Sequence, residues 1–299
     1  MAAIPFVPPL EVRYGQAEQV SPLIRRVVAE NPSMFTYRGT GTYIIGSGEV
    51  AVVDPGPELE SHQAALAAAL EGERVTHILV THCHADHSPL ARWLADETGA
   101  TTFAFGPHGA IDPEDDVVTE EAVDTAFDPD VRLVHGEVVE GSGWTVEAVH
   151  TPGHTSNHMS YALAEERALF TGDHVMGWST TVIAPPDGDM RAYFASLRLL
   201  LGRDDAVLWP THGGPVTDPP PFLEAYLAHR LEREVQVVAC VHRGTGTIPA
   251  IVAELYTAVP KELHPAAERS VFAHLVKLVD DGVVSCDGPL TAEAAFAPV

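Results

Sequence analysis

The sequence predicts a layered α/β domain followed by a small helical domain. Three observations carry that expectation. Short β-branched runs alternate with helical patterns between about residues 34 and 216. Several of the apolar runs end in polar loops bearing histidine or aspartate. The stretch PTHGGPVTDPPP (210–221) breaks the pattern with proline and glycine, and beyond it the periodicity is helical. The expected domains are therefore 1–219 and 220–299.

Residues 1 to about 30 read as a proline-containing lead-in with one strand. TYIIG (42–46) and EVAVVDPG (49–56) form a hairpin pattern around Gly46-Ser47-Gly48. Residues 60–72 read as a helix and THILVTH (76–82) as a buried strand. SPLARWLADETG (88–99) reads as a helix, with Ser88 and Pro89 suited to its start. WTVEAVHTPGHT (144–155), MSYALA (159–164), RALFTGD (167–173) and AVLWPTHG (206–213) read as a second set of strands. In the C-terminal part, residues 222–242 form one amphipathic run. Thr247 can cap a helix reaching Leu255, and a third helix covers about 265–281. Gly282 ends that helix and VVS (283–285) reads as a short strand, an arrangement that resembles a winged helix.

Composition narrows the possibilities. No apolar stretch is long enough to span a bilayer, and the N-terminus lacks the pattern of a secretory signal. Three scattered cysteines give no disulfide framework, so a reducing, cytoplasmic setting is expected. The formal net charge is −25, and the two lysines, Lys261 and Lys277, both lie near the C-terminus. Such a surface repels polyanions and anionic membranes at long range. Residues 220–299 hold six Lys or Arg against ten Asp or Glu, with no basic stripe, so duplex DNA is not the expected partner.

Sixteen histidines are a large supply, and some are placed for chemistry. Thr81-His82-Cys83-His84-Ala85-Asp86-His87 puts four candidate ligands within six residues of an apolar strand. On extended backbone, His82 and His84 would point the same way and grip one ion, while Cys83 points to the core. Asp86 and His87, where the chain turns into a helix, can reach a second ion. His154 after Thr-Pro-Gly, Asp173 after Thr-Gly, and His212 before Gly-Gly each sit at a strand mouth. Alone, each could be an ordinary loop residue. Together with the first cluster they complete two coordination shells.

This set, His82-x-His84-x-Asp86-His87 followed by His154, Asp173 and His212, resembles the metallo-β-lactamase superfamily over about residues 20–216. The resemblance implies a four-layered αββα sandwich with the metals at one edge. It implies two Zn²⁺ per chain: His82, His84 and His154 on the first, Asp86, His87 and His212 on the second, and Asp173 bridging. Asp54 matches a buried aspartate that supports the metal loops, although a turn aspartate before Pro-Gly is an equally good reading of the sequence. The C-terminal segment is similar to the winged-helix extension of a subgroup typified by a mammalian mitochondrial β-lactamase-like endoribonuclease.

The expected reaction is hydrolysis of a small acyl substrate (thioester, lactone, ester or β-lactam) by a hydroxide held between the metals. Two Zn²⁺ with Asp86, Asp173 and that hydroxide leave a charge near +1, suited to an anionic substrate or transition state. Asp86 and His174 are the candidate proton carriers. His158 is a candidate supporting residue, and Trp178, Ser179, Thr180 and Thr181 are expected to line the pocket. A single-strand endoribonuclease is the alternative; a mononuclear iron persulfide dioxygenase ranks lower, since that group carries Cys where this chain has His158. Glu at the position of His84 would mark diiron members, and Tyr at that of Met176 lactonases. Only three arginines occur from 171 to 220, against six aspartates, which opposes an RNA path. The small domain is expected to shape the pocket, a homodimer interface, or both.

Overall fold

The computed structural model describes residues 4–109 and 122–299. Its first sheet has seven strands in sequential order: β1 (Ala17–Gln19), β2 (Ile24–Val28), β3 (Gly41–Ser47), β4 (Glu49–Val53), β5 (Arg74–Leu79), β6 (Thr101–Ala104) and β7 (Val131–Arg132). The β1–β4 pairings are antiparallel and those from β4 to β7 parallel. The second sheet runs β12 (Val207–Pro210), β11 (Ala168–Gly172), β10 (Met159–Leu163), β9 (Trp144–His150), β8 (Val138–Gly141).

Alternation along the strands builds the layers. Tyr43, Ile45, Ala51, Val53 and Leu79 face inward and meet Trp144, Val146, Tyr161 and Phe170 of the second sheet. Their neighbours Ile44, Val50, Val52 and Ile78 face outward, against Ala65 and Leu66 of α1 (Glu60–Ala69) and Ala91 and Leu94 of α2 (Leu90–Thr98). On the far side, Val149, Leu169 and Leu208 pack on Tyr193, Phe194 and Leu197 of α3 (Met190–Leu201) and on Phe222 and Tyr226 of α4 (Pro219–His242). The result is the αββα sandwich.

A fourth core joins Val237, Cys240 and Val241 of α4 to α5 (Ile248–Leu255), α6 (His264–Asp280), β13 (Val284–Cys286) and β14 (Phe296–Pro298). The 24-residue α4 therefore contributes its first half to the sandwich and its second half to the C-terminal unit.

Several local expectations change. The lead-in holds two strands, β1 and β2, because Ile24–Val28 pairs along β3. The fifth strand stops at Leu79, so the His82–His84 run is loop and strand alternation does not orient it. Ser88 does not cap α2: the cap position is Pro89, and the Ser88 hydroxyl donates to Asp124 at 2.7 Å. Thr247 occupies the cap position of α5 but makes no side-chain capping bond.

Candidate metal centre

β4, β5, β11 and β12 all deliver their C-terminal ends to one edge of the sandwich, carrying Asp54, the 81–87 loop, Asp173 and His212. Two tyrosines tie that edge across the sheets. Tyr43 donates its hydroxyl to the Pro210 carbonyl at 2.6 Å, and Tyr161 to the Val80 carbonyl at 2.8 Å. Each anchors backbone two residues before a candidate ligand, and each contributes about 1 kcal/mol net. Gly172, with φ +51°, has no room for a side chain: a Cβ would lie 2.6 Å from His158 Nε2 and 2.9 Å from Thr81 Oγ1.

The candidate ligands fall into three overlapping triads whose ligand atoms lie within 4.8 Å of one another: His82, His84, His154; His82, His87, Asp173; and Asp86, His87, His212. His84 Nδ1 is 3.0 Å from His82 Nε2 and 3.2 Å from His154 Nε2. His212 Nε2 is 3.2 Å from Asp86 Oδ2 and 3.3 Å from Asp173 Oδ2. His87 Nε2 stands 3.4 Å from Asp86 Oδ2 and 3.7 Å from Asp173 Oδ1.

The rings are held from behind. His154 Nδ1 donates to the Val182 carbonyl at 2.8 Å, and His87 Nδ1 to Asp54 Oδ2 at 2.9 Å. His212 Nδ1 faces the Gly39 carbonyl at 3.3 Å. A proton fixed on Nδ1 leaves a lone pair on Nε2, which a metal ligand requires. Asp54 is itself over-determined: its backbone sits at φ +48°, and its carboxylate accepts the Thr81 N–H at 2.7 Å and the Thr81 hydroxyl at 2.8 Å. The donors fit divalent ions, and the orphaned atoms point the same way: buried His87 Nε2 and Asp173 Oδ1 have no hydrogen-bond partner among the described residues.

Electrostatics divide the centre into two halves. Burial holds His82, His84 and His154 below the ordinary histidine pKa, so these rings are neutral and ligand-ready. Burial also opposes charge on His87 and His212, but the Asp86 and Asp173 carboxylates outweigh it. His87 is held well above its ordinary value and His212 is pushed up to about 10. Asp173 is buried too, yet His212 and His87 hold its carboxyl well below the usual range. The paired carboxylates favour positive charge between them, which a divalent ion held by these residues would supply in place of the imidazole protons.

The neighbours divide by position. His158 is fully buried, with Nδ1 2.9 Å from the Thr151 hydroxyl and Nε2 accepting the Asp173 N–H at 3.2 Å, so it braces the backbone of that aspartate. His174 lies fully buried against the Tyr193 ring, 4.6 Å between centroids, and does not reach the cavity beside the centre. The proton-carrier reading of His174 therefore lacks a path to substrate. Cys83 turns away as expected, with Asn157 Nδ2 3.1 Å from its sulfur.

That cavity, about 420 Å³, touches His84, Asp86, His154, Asp173 and His212, and Trp178, Ser179, Thr180 and Thr181 line it. Trp178 stacks on Tyr37 with centroids 4.6 Å apart. The scarcity of cations between 171 and 220 misjudged this pocket, because α4 brings Arg230 and Arg233 into its wall. Both arginines are buried, along with Tyr226 and Val237 of the same helix. Their spacing (226, 230, 233, 237) was the available signal: arginines on the apolar stripe of an amphipathic helix. Tyr256 and Val259, from the end of α5 and the loop after it, complete the far wall.

An αββα sandwich with clustered histidines and aspartates on one edge defines a metal-dependent hydrolase. The Metallo-beta-lactamase superfamily profile matches residues 37–212, and the chain belongs to that superfamily. A second match, to the beta-lactamase associated winged helix domain, covers residues 247–289. Among relatives, a beta-lactamase-like protein 2 homolog from Drosophila melanogaster is 34% identical, covering 86% of this chain and 88% of the relative. An atrochrysone carboxyl ACP thioesterase from Aspergillus chevalieri is 31% identical over 93% of this chain and 87% of the relative. A metallo-beta-lactamase family protein from Thermus thermophilus has the same fold, with a TM-score of 0.76 at 23% identity, over 94% of this chain and all of that one.

Proposed function

We propose that this chain hydrolyses a small acyl thioester at a centre for two zinc ions. The observation that carries the reading is the convergence of seven buried donors into overlapping triads, opening on a cavity of about 420 Å³. A cavity of that size suits a small molecule. Relatives named as acyl carrier protein thioesterases support the choice of bond.

His82, His84 and His154 would hold one ion, Asp86, His87 and His212 the other, and Asp173, grouped with His82 and His87, would bridge them. When bound, the ions supply a lowered pKa for water and polarise the acyl carbonyl. Asp54 keeps the His87 lone pair aimed at the centre, and the Val182 carbonyl does the same for His154. Asp86, on the cavity wall, takes the proton of the attacking water and passes it to the departing thiolate. Thr40 orients that carboxylate by donating to Oδ2 at 2.8 Å. Trp178 and Tyr256 shield the acyl chain from water.

The test compares zinc-loaded protein on small acyl thioesters and on single-stranded RNA at low salt. The thioester kcat/KM is expected to be higher by at least about tenfold, or about 1.4 kcal/mol of transition-state binding. Efficient RNA cleavage that disappears in Asp173→Ala, with no thioester turnover, would establish the ribonuclease instead.

A further inference from the structure

The cavity wall holds a buried cation, Arg230, with no carboxylate partner among the described residues. Arg230 is 3% exposed. Its Nη2 donates to the Thr181 carbonyl, its guanidinium lies 5.4 Å from the Tyr193 ring centroid, and its Nε is buried with no hydrogen-bond partner among the described residues. Among the described residues no carboxylate pairs with it. This is notable in a chain with 42 acidic and 17 basic residues. Other arginines find acids readily: Arg203 pairs with Asp205 and Glu147, and Arg191 with Asp281. A buried guanidinium without a counter-charge is costly, and such a cost persists where the missing anion is a ligand.

We propose that Arg230 recognises a carboxylate borne by the acyl portion of the substrate; the inference rests on the thioesterase reading above. Position selects the acyl side. The Thr181 that Arg230 contacts through its carbonyl donates its own hydroxyl to the Asp173 carbonyl at 2.7 Å. Thr181 thus links the guanidinium to the backbone of Asp173, and Arg230 and Asp173 line the same cavity. A carboxylate on a short acyl chain can reach this wall of the cavity, whereas the phosphates of a carrier arm sit much farther from the thioester. A planar guanidinium with free N–H groups suits a carboxylate. Arg230 lies outside both matched segments, 37–212 and 247–289, so this specificity element belongs to the connecting helix. Arg233, 4.1 Å from the Tyr256 ring centroid, braces the adjoining wall.

The test uses the zinc-loaded full chain and two N-acetylcysteamine thioesters, succinyl and its methyl ester, which differ in one negative charge and one methyl group. Wild type is expected to prefer the succinyl compound by about tenfold in kcat/KM. Arg230→Met should cut that ratio by at least about fivefold, with Arg230→Lys intermediate. An unchanged ratio overturns the proposal. So does a loss in R230M that appears only with coenzyme A thioesters, which would assign the anion to the carrier phosphates. If wild type turns over neither thioester, the thioesterase reading fails by itself, and binding decides Arg230 separately. Calorimetry should show monomethyl succinate binding wild type at least about fivefold more tightly than R230M, and dimethyl succinate binding both alike. Equal binding of monomethyl succinate to both proteins removes the role. Should R230M not fold, R230K carries the same comparisons.

Discussion

Asp54→Asn is the substitution that isolates orientation from charge at the centre. The Asp54 carboxylate is 1% exposed and accepts from the Thr81 N–H, the Thr81 hydroxyl and His87 Nδ1, with Thr211 Oγ1 at 3.3 Å. An asparagine keeps the shape. Its carbonyl can hold the Thr81 N–H, which leaves the amide NH₂ facing His87 Nδ1. Two donors then oppose each other, and the ring relieves the clash by moving its proton to Nε2. That removes the lone pair directed at the metal. A competing effect exists: Asp54 is one of the carboxylates holding the His87 pKa up, so its loss lowers proton competition. Asp86 and Asp173 act more strongly on that pKa and both remain, so the orientation effect wins. Supporting partners of this kind contribute about 10–100-fold in metal affinity, about 1.4–2.7 kcal/mol. In a competitive chelator titration, D54N should weaken the zinc held by Asp86, His87 and His212 by that factor. The His82–His84–His154 ion should change by less than about threefold. Wild-type affinity at both sites, or selective loss of the other ion, would refute the reasoning.

Purified protein supplied with zinc should hold close to two ions per chain; Asp173→Ala should disturb both and His212→Ala mainly one, while elemental analysis showing a single iron would revive the dioxygenase. The full chain should show no salt-sensitive binding to duplex DNA at low ionic strength, given a net charge of −25, and micromolar binding that weakens steeply with salt would contradict this. Burial pushes the His62 pKa down to about 4. The unfolded chain, with a histidine pKa near 6.5, then binds more protons, so this contribution to stability is complete above pH 6.5 and is lost as pH falls through about 4. The loss reaches about 3 kcal/mol, and urea titrations should show a shallower acid decline in His62→Gln; identical slopes would exclude it.

The ligand-type residues were legible because coordination chemistry needs particular side chains, and here four of them crowd into His82–His87. The layered fold was legible because apolar alternation in TYIIG and EVAVV maps directly onto two buried faces, Ile44 outward and Tyr43 and Ile45 inward. Local pattern also located α4, α5 and α6 to within a few residues.

Tertiary structure decided what local pattern cannot encode. Strand alternation does not aim His82 and His84, since β5 ends at Leu79; the loop is fixed by distant partners such as the Asp54 carboxylate and the Tyr161 hydroxyl. His174 sits one residue from Asp173 in sequence yet faces Tyr193 rather than the cavity. Arg230 is 57 residues beyond Asp173 in the numbering, yet α4 folds back to place it on the wall that the Asp173 loop forms. The sequence by itself determined which groups could bind metal and which segments would be strands or helices, because both depend on side-chain chemistry and near-neighbour spacing. Which of those groups share a pocket, and which cation lies there without a carboxylate among the described residues, depended on packing between elements far apart in the chain.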